Sequence, residues 1–337
     1  MTRGIAALAA AALLWAGAAA NQGAWGQAKI NPAVVFDMGG KFDKSFNEGI
    51  YNGLERFKKE TGTAYAEFEV TNETQREQAL RNFARRGNDP IIAVGFAQGP
   101  AVEAVAKEFP QLRFAIIDSV VELPNVQSLI FKEHEGSYLV GVLAALASKT
   151  GKVGFVGGMD IGLIRRFACG YEQGVKSVNK NAEVFQNMTG TTPAAWNDPV
   201  KGGELAKSQF DRGADVVYAA AGGTGLGVLQ AAADAKKLSI GVDSNQNYLH
   251  PGSVLTSMLK RVDVAAYNVY KTAAAGTWKA GVQVLGLAEE GVGWALDDNN
   301  AKLITAEMKA KVDQARADIV GGKVKVVNYT DGNACRY

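Results

Sequence analysis

The sequence predicts an α/β protein that folds into two lobes, each built on a doubly wound parallel sheet. Its 337 residues exceed the roughly 150 of an average domain, which favours two lobes over one. Hydrophobic residues make up 47% of the chain and charged residues 21%, so a large core can be buried. Continuous apolar runs alternate with amphipathic stretches, the pattern of a βαβα fold whose parallel strands are covered on both faces.

Residues 1–28 are predicted to be a signal peptide rather than part of the fold. Arg3 is the only charged residue there, and an Ala- and Leu-rich run from Ile5 to Ala20 follows it. A membrane anchor is the less favoured alternative, because this run is shorter than the roughly 20 residues of a spanning helix. Small residues at 18–20 and 26–28 provide two candidate cleavage sites. No cysteine lies nearby for lipid attachment, so we expect an exported protein that is soluble in the periplasm.

The rest of the chain predicts nine strands and eight helices. Strands are expected at residues 33–38, 64–70, 91–96, 114–118, 153–157, 183–188, 216–221, 239–243 and 253–259. Helices are expected near residues 46–60, 73–86, 100–108, 135–149, 163–178, 200–212, 225–236 and 263–275.

The first helix carries the clearest local signals. Ser45 and Glu48 have the S-x-x-E spacing of a capping box at a helix N-terminus. Apolar residues recur at helical spacing from Ile50 to Phe57, and Gly62 predicts the end of the helix.

No Pro- or Ser-rich linker divides the chain, so the two lobes must be joined by short crossovers. We expect these near residues 131–134, near 260–263 and after Leu285. The predicted N-terminal lobe is then 29–133 plus 262–285, and the C-terminal lobe is 134–261 plus 286–337.

Charge and the reactive side chains exclude several functions. Lys and Arg total 36 against 34 Asp and Glu, a net charge of +2 that gives no reason to expect nucleic acid as a partner. Two Cys and two His are too few for a Cys/His zinc cluster, and we expect neither a metal nor a cofactor. We interpret His134 and His250 as surface residues. After export, Cys169 and Cys335 form either a long-range disulfide, which we favour, or two free thiols.

The glycine-rich run at 222–227 follows a predicted strand and precedes a helix. It matches neither the P-loop nor the G-x-G-x-x-G pattern, so it does not predict a nucleotide phosphate site. It predicts a tight turn whose backbone N–H groups can approach a ligand, or glycines that serve the turn alone.

Four predicted strands end close to an aspartate: Asp37, Asp118, Asp160 and Asp243. The carboxyl ends of parallel strands meet at one edge of a sheet, so these carboxylates are expected to converge on a crevice. There they can accept hydrogen bonds from hydroxyl or amine groups. The alternative for each is helix N-capping.

Three aromatic residues are expected at the same end of the sheets: Phe46, Phe167 and Trp196. Flat rings together with acids suit a flat, hydroxylated ligand. For Phe167 we favour packing in the core, whereas Phe46 and Trp196 lie in polar surroundings and are the better candidates for ligand contact.

One longer motif identifies a family. Residues 36–47 read Phe-Asp-Met-Gly-Gly-Lys-Phe-Asp-Lys-Ser-Phe-Asn, and shorter matching segments follow at 94–96, 116–118, 157–159, 169–174, 221–225, 241–246 and 255–260. Over residues 30–330 the chain resembles the basic membrane protein family, the PnrA-like substrate-binding proteins of ABC importers. It departs at Gly162, where the family pattern has Pro, and at the loop 192–196.

The resemblance implies a type I periplasmic-binding-protein fold that closes on a purine nucleoside or a related heterocycle. It also implies a monomeric, non-enzymatic receptor that delivers its ligand to an inner-membrane ABC permease. By matching positions, Phe46 stacks on the base, Asp43, Asn47 and Asp118 contact polar edges, and Gly223, Asp243 and Lys260 hold the ribose hydroxyls. Trp196 or Phe167 supplies the second aromatic wall.

Two other functions remain open on the sequence. The acid-rich crevice suits a secreted nucleoside hydrolase, which would release free base. A ligand-sensing domain that presents its ligand to a membrane receptor would have the same sequence features as a transport receptor.

Overall fold

The computed structural model describes residues 29–335, and the predicted signal peptide at 1–28 lies outside this range. In chain order the strands are β1 (Ala33–Phe36), β2 (Ala66–Glu69), β3 (Ile91–Ala93), β4 (Phe114–Ile117), β5 (Val126–Phe131), β6 (Lys152–Met159), β7 (Glu183–Gly190), β8 (Val216–Ala220), β9 (Leu238–Asp243), β10 (Val254–Lys260), β11 (Gly281–Leu285) and β12 (Val292–Trp294). The α-helices are α1 (Phe46–Thr61), α2 (Gln75–Arg85), α3 (Gly99–Glu108), α4 (Glu133–Ala147), α5 (Gly162–Val178), α6 (Pro199–Asp211), α7 (Gly225–Asp234), α8 (Val262–Ala274) and α9 (Ala306–Val320).

The strands form two six-stranded sheets. The first has the order β11-β5-β4-β3-β1-β2 and is parallel throughout. The second has the order β12-β10-β9-β8-β6-β7, in which only β12 runs antiparallel to its neighbour. The predicted α/β architecture of two parallel-sheet lobes is therefore confirmed.

The inner strands β1 and β8 are continuous apolar runs because helices cover both faces of each sheet. Every residue of β1 and of β8 is buried, including Phe36 and Tyr218. Burying one such large apolar side chain contributes about 1.5–3 kcal/mol, so these continuous runs are stable only between two helical layers.

All nine predicted strands and all eight predicted helices are present, and four elements were missed. β5 contains Gln127 and Ser128, and β11 is largely exposed, so neither forms a continuous apolar run. β12 has only three residues. α9 buries three side chains and is otherwise polar, which leaves little helical periodicity to detect.

Three connections join the lobes. β5 leads into α4, which packs on α5 over the second sheet, and β10 leads into α8, which packs on α1 over the first. β11 completes the first sheet before the chain returns to the second at β12. The contact between α1 and α8 requires glycine at 53, because a Cβ there would lie 2.1 Å from the Asp263 carbonyl oxygen.

The C-terminal tail is fastened to α5. Cys169 on this helix forms a disulfide with Cys335, with their Cα atoms 5.5 Å apart. One helical turn later, the Gln173 side chain donates to the Val327 carbonyl at 2.9 Å and accepts from the Val327 N–H at 2.8 Å. The tail is thus attached to a helix that also lines the cleft between the lobes.

No helix within residues 29–335 combines the length and the apolar character that crossing a bilayer requires.

Candidate ligand-binding site

A cleft lies between the lobes at the carboxyl ends of the central strands, where parallel α/β sheets bind ligands. Its empty volume is about 610 Å³, including the part open to solvent. Eight of the nine predicted ligand-binding residues line it: Asp43, Phe46, Asn47, Asp118, Phe167, Trp196, Asp243 and Lys260. Gly223 does not, although its neighbour Gly222 does; a Cβ on Gly223 would lie 3.2 Å from the Trp196 carbonyl oxygen.

Asp43 caps α1, and the predicted capping box of Ser45 and Glu48 is wrong. The Asp43 carboxylate accepts from the backbone N–H groups of Ser45 (2.8 Å), Asn47 (3.0 Å) and Glu48 (3.1 Å). Glu48 instead accepts from the Lys44 N–H at 3.1 Å. Burial raises the pKa of Asp43 to about 6, despite these three donors. Asp43 therefore fixes the helix end that presents Phe46 and Asn47 to the cleft.

Ser45 joins the two lobes through Asp243. Its hydroxyl donates to Asp243 Oδ2 at 2.6 Å, so the start of α1 in the first lobe is held against the end of β9 in the second. Its carbonyl accepts from the Ser244 hydroxyl at 2.7 Å. Burial raises the pKa of Asp243 to about 6, although the ammonium of Lys260 opposes this shift.

Lys260 is the cation at the centre of the cleft. It is 2% exposed, and its Nζ lies 2.7 Å from Asp118 Oδ2 and 3.0 Å from Glu133 Oε1. Burial alone would lower the pKa of Lys260, but the carboxylates of Asp118, Glu133 and Asp243 raise it above its ordinary value. Because β10 carries Lys260 and Asp118 follows β4, this ion pair also links the two lobes.

Asp118 has one oxygen available to a ligand. Oδ2 accepts from Lys260, whereas Oδ1 is buried and has no hydrogen-bond partner among residues 29–335. Burial raises the pKa of Asp118 above its ordinary value, although the nearby ammonium of Lys260 opposes this shift. Asp118 and Asp243 also share a left-handed backbone, with φ of 70° and 62°, a conformation that is uncommon for non-glycine residues.

Glu133 and Arg166 belong to the same charged cluster, and sequence reasoning missed both. Glu133 is fully buried at the start of α4, and its Oε2 accepts from Arg166 Nη1 at 2.8 Å. Arg166 also donates to the Phe131 carbonyl at 2.9 Å. The adjacent His134 is 8% exposed, so our interpretation of it as a surface residue is wrong. The acidic Glu-His-Glu segment at 133–135 could have indicated this buried cluster, but such a segment is also typical of an exposed helix start.

Three aromatic side chains line the cleft in different ways. Phe46 is partly exposed, and Lys260 Nζ lies 5.3 Å from its ring centroid. Phe167 is buried in the core, as favoured from the sequence, and still contributes to the lining, with Lys260 Nζ 5.6 Å from its ring centroid. The Trp196 ring lies over Gly158, where a Cβ would be 2.1 Å from the indole, so only glycine fits beneath it.

The strand-end aspartates converge in part. Asp37 lines the cleft with Asp118 and Asp243. Asp160 does not, because it is exposed and binds Arg165 with Nε–Oδ1 at 2.7 Å, so its expected position in the crevice is wrong. Asp37 is buried and paired with Arg76, whose Nη2 lies 3.3 Å from its Oδ1, a partner that nothing in the local sequence indicated.

The cleft offers more carboxylates than cations. Asp37, Asp43, Asp118 and Asp243 line it, against Lys260 as the cation among the lining residues. Ionised carboxylates are acceptors only, so the arrangement suits a ligand that presents O–H and N–H donors around a flat, apolar body. Within the described range 29–335, no three Asp, Glu, His or Cys side chains cluster as metal ligands.

Two lobes that enclose a cleft lined by aromatic and charged groups define a ligand-binding protein of the type I periplasmic-binding fold. A solved solute-binding protein of an ABC transporter system from Aeropyrum pernix has this architecture: it superimposes with a TM-score of 0.82 at 30% identity, covering 90% of this chain and 95% of its own. Residues 30–327 match the family model of the PnrA-like ABC transporter substrate-binding proteins, and the chain belongs to that family. The resemblance drawn from the sequence and the predicted fold class are both confirmed.

Two curated relatives are similar to this chain over most of their length. The CD4+ T-cell-stimulating antigen of Listeria monocytogenes is 37% identical over 87% of each chain. The ABC transporter nucleoside-binding protein BmpA of Lactococcus lactis is 34% identical, over 88% of this chain and 89% of its own. This chain is therefore a substrate-binding protein of an ABC transporter, a type that binds a small molecule and presents it to a membrane permease.

Proposed function

We propose that the cleft binds a purine nucleoside or a closely related heterocyclic glycoside. The observation that carries this proposal is that buried acceptors and a partly exposed ring line the same cleft. Asp118 pairs with Lys260, Asp243 lines the cleft with them, and the Phe46 ring lies beside Lys260. A nucleoside has the matching parts, because its sugar hydroxyls are donors and its base is a flat ring. The name of the Lactococcus lactis relative, a nucleoside-binding protein, supports the same ligand class.

The residues divide into two groups in this proposal. Phe46 stacks on the base, with Trp196 or Phe167 as the second wall, while Asp43, Asn47 and Asp118 contact its polar edges. The free acceptors Asn47 Oδ1 and Asp118 Oδ1 support this role, because both are buried without a partner among residues 29–335. Asp243 and Lys260 hold the ribose hydroxyls, and Gly223 supports the turn beside them.

Ligand binding is coupled to closure of the lobes. Asp43, Phe46, Asn47 and Asp118 come from the first lobe, whereas Trp196, Asp243 and Lys260 come from the second. A ligand that contacts residues of both lobes stabilises the closed arrangement, and closure removes the ligand from water. Binding and release to a permease then require no bond to be made or broken, so we propose a receptor and not an enzyme.

We further propose that the protein acts outside the cytoplasmic membrane with an ABC permease as its partner. The predicted signal peptide at 1–28 and the family membership support this location. N-terminal sequencing of protein recovered from the periplasm should give a start between residues 21 and 29. An intact Met1 on that protein would contradict export by cleavage.

The function is tested by calorimetric titration of ligand-free protein with inosine, adenosine, hypoxanthine and ribose. We expect a nucleoside to bind more tightly than its base or its sugar alone, because only the nucleoside engages both groups of residues. Chromatography of the same mixtures should show no free base released over hours. Absence of nucleoside binding would refute the proposal, and release of base would replace it with a hydrolase.

A further inference from the structure

A second compartment adjoins the cleft on the side of α2. Its walls are Asp37, Glu73, Arg76, Phe96, Thr192 and Trp196, among others, and three of these (Asp37, Phe96 and Trp196) also line the ligand cleft. The empty volume is about 600 Å³, including the part open to solvent. Because Asp37, Phe96 and Trp196 line both spaces, these three side chains form the boundary between the cleft and the compartment.

Arg76 is the unusual residue of the compartment. It is 9% exposed, yet within residues 29–335 its side chain makes a single hydrogen bond, at 3.3 Å from Nη2 to Asp37 Oδ1. Its Nε is buried and has no partner in that range. A guanidinium has five N–H donors and no acceptor, so Arg76 retains donors for a further group. Leaving a buried donor unsatisfied costs free energy, which a ligand acceptor would recover.

The charges around Arg76 select the kind of acceptor. Asp37 contacts the guanidinium and Glu73 lines the same compartment, so two carboxylates already offset its single positive charge. An anionic ligand group would be repelled by both acids. A neutral carbonyl oxygen accepts from Arg76 without that repulsion, and an N–H beside the carbonyl can donate to Asp37.

We propose that Arg76 and Asp37 read a carbonyl with an adjacent N–H on the far edge of the heterocycle, and so select oxopurine over aminopurine nucleosides. This inference rests on the proposed function, in which Asp243 and Lys260 hold the sugar, and it adds that the base extends towards Asp37, which lines the same cleft. In inosine the 6-oxo group and N1–H have this pattern. In adenosine held in the same position as inosine, the amino group would direct its N–H donors at the donors of Arg76, and N1 carries no proton for Asp37.

The test compares inosine with adenosine in calorimetric titrations of the wild type, Arg76→Met and Arg81→Met. Arg81 is the matched control, because it lies on the same helix and pairs with Glu77 and Glu108 outside both compartments. We expect the wild type and Arg81→Met to bind inosine about tenfold or more tightly than adenosine. Arg76→Met should bind inosine about ten- to hundredfold more weakly, with adenosine changed by less than about threefold.

The ratio of the two affinities separates recognition from folding, because a general loss of structure weakens both ligands together. Arg76→Lys provides a second variant that keeps a positive charge beside Asp37 but lacks the fork of donors, and its preference for inosine should also fall. An unchanged inosine-to-adenosine ratio in either Arg76 variant overturns this inference alone. Failure of the wild type to bind any nucleoside overturns the proposed function together with it.

Discussion

Replacing Asp243 by Asn should stabilise the ligand-free protein while it weakens ligand binding. Burial raises the pKa of Asp243 from 3.8 to about 6, so at pH 7 the folded protein holds this charge at an energetic cost. A shift of that size corresponds to about 3 kcal/mol at roughly 1.4 kcal/mol per pKa unit. An amide of the same shape removes the cost, and Lys260 keeps Asp118 and Glu133 as partners.

The sign of the pH dependence follows from the same shift. Because the pKa of Asp243 is higher in the folded than in the unfolded state, the folded state binds more protons between pH 3.8 and about 6. The destabilising contribution of Asp243 is complete at pH 7 and fades as the pH falls towards 4. Asp243→Asn should therefore be more stable than the wild type by about 1–3 kcal/mol at pH 7 and by much less at pH 4.

Urea unfolding of both proteins at pH 7, 5 and 4 measures this difference. Asp160→Asn is the control, since Arg165 holds the pKa of this exposed aspartate below its usual value, and the replacement should not stabilise at pH 7. Calorimetry should show that Asp243→Asn binds a nucleoside about ten- to hundredfold more weakly, because a charged acceptor for the sugar is lost, and its free base equally well. A destabilised variant at pH 7, or a stability gain independent of pH, would refute the reasoning.

Three further predictions follow from the cleft and the tail. Phe46→Ala should weaken every purine ligand by about 1–3 kcal/mol in titration, because a stacking face is lost; a change confined to nucleosides would contradict this role. Glu133→Gln should lower the free energy of unfolding by about 3 kcal/mol, because it removes a buried carboxylate that compensates the charges of Lys260 and Arg166. Urea unfolding measures this loss, and an unchanged free energy of unfolding would contradict the prediction. Reducing the Cys169–Cys335 disulfide should cost about 2–4 kcal/mol of stability and leave nucleoside affinity within about twofold. Alkylation of the unfolded, unreduced protein should find no free thiol, and two free thiols would show that the disulfide does not form.

The start of α1 shows where local sequence rules end. Ser45 and Glu48 have the spacing of a capping box, yet Asp43 accepts the N–H groups that this motif would satisfy. Both arrangements put an oxygen near the same donors, and the path of the preceding loop decides between them. The Ser45 hydroxyl instead donates to Asp243, which lies 198 residues further along the chain. The residue predicted to cap the helix therefore forms a contact between the lobes.

The sequence by itself determined the alternation of buried strands and amphipathic helices, and it placed Asp37, Asp118 and Asp243 at the ends of strands. These features are local, because apolar runs and strand ends are set by neighbouring residues. The tertiary structure alone decided the partners: Arg76 for Asp37, Glu133 for Lys260, and Arg166 for Glu133. A charged side chain looks the same in sequence whether it is exposed or buried, and only packing from distant elements removes the water and turns it into a binding group.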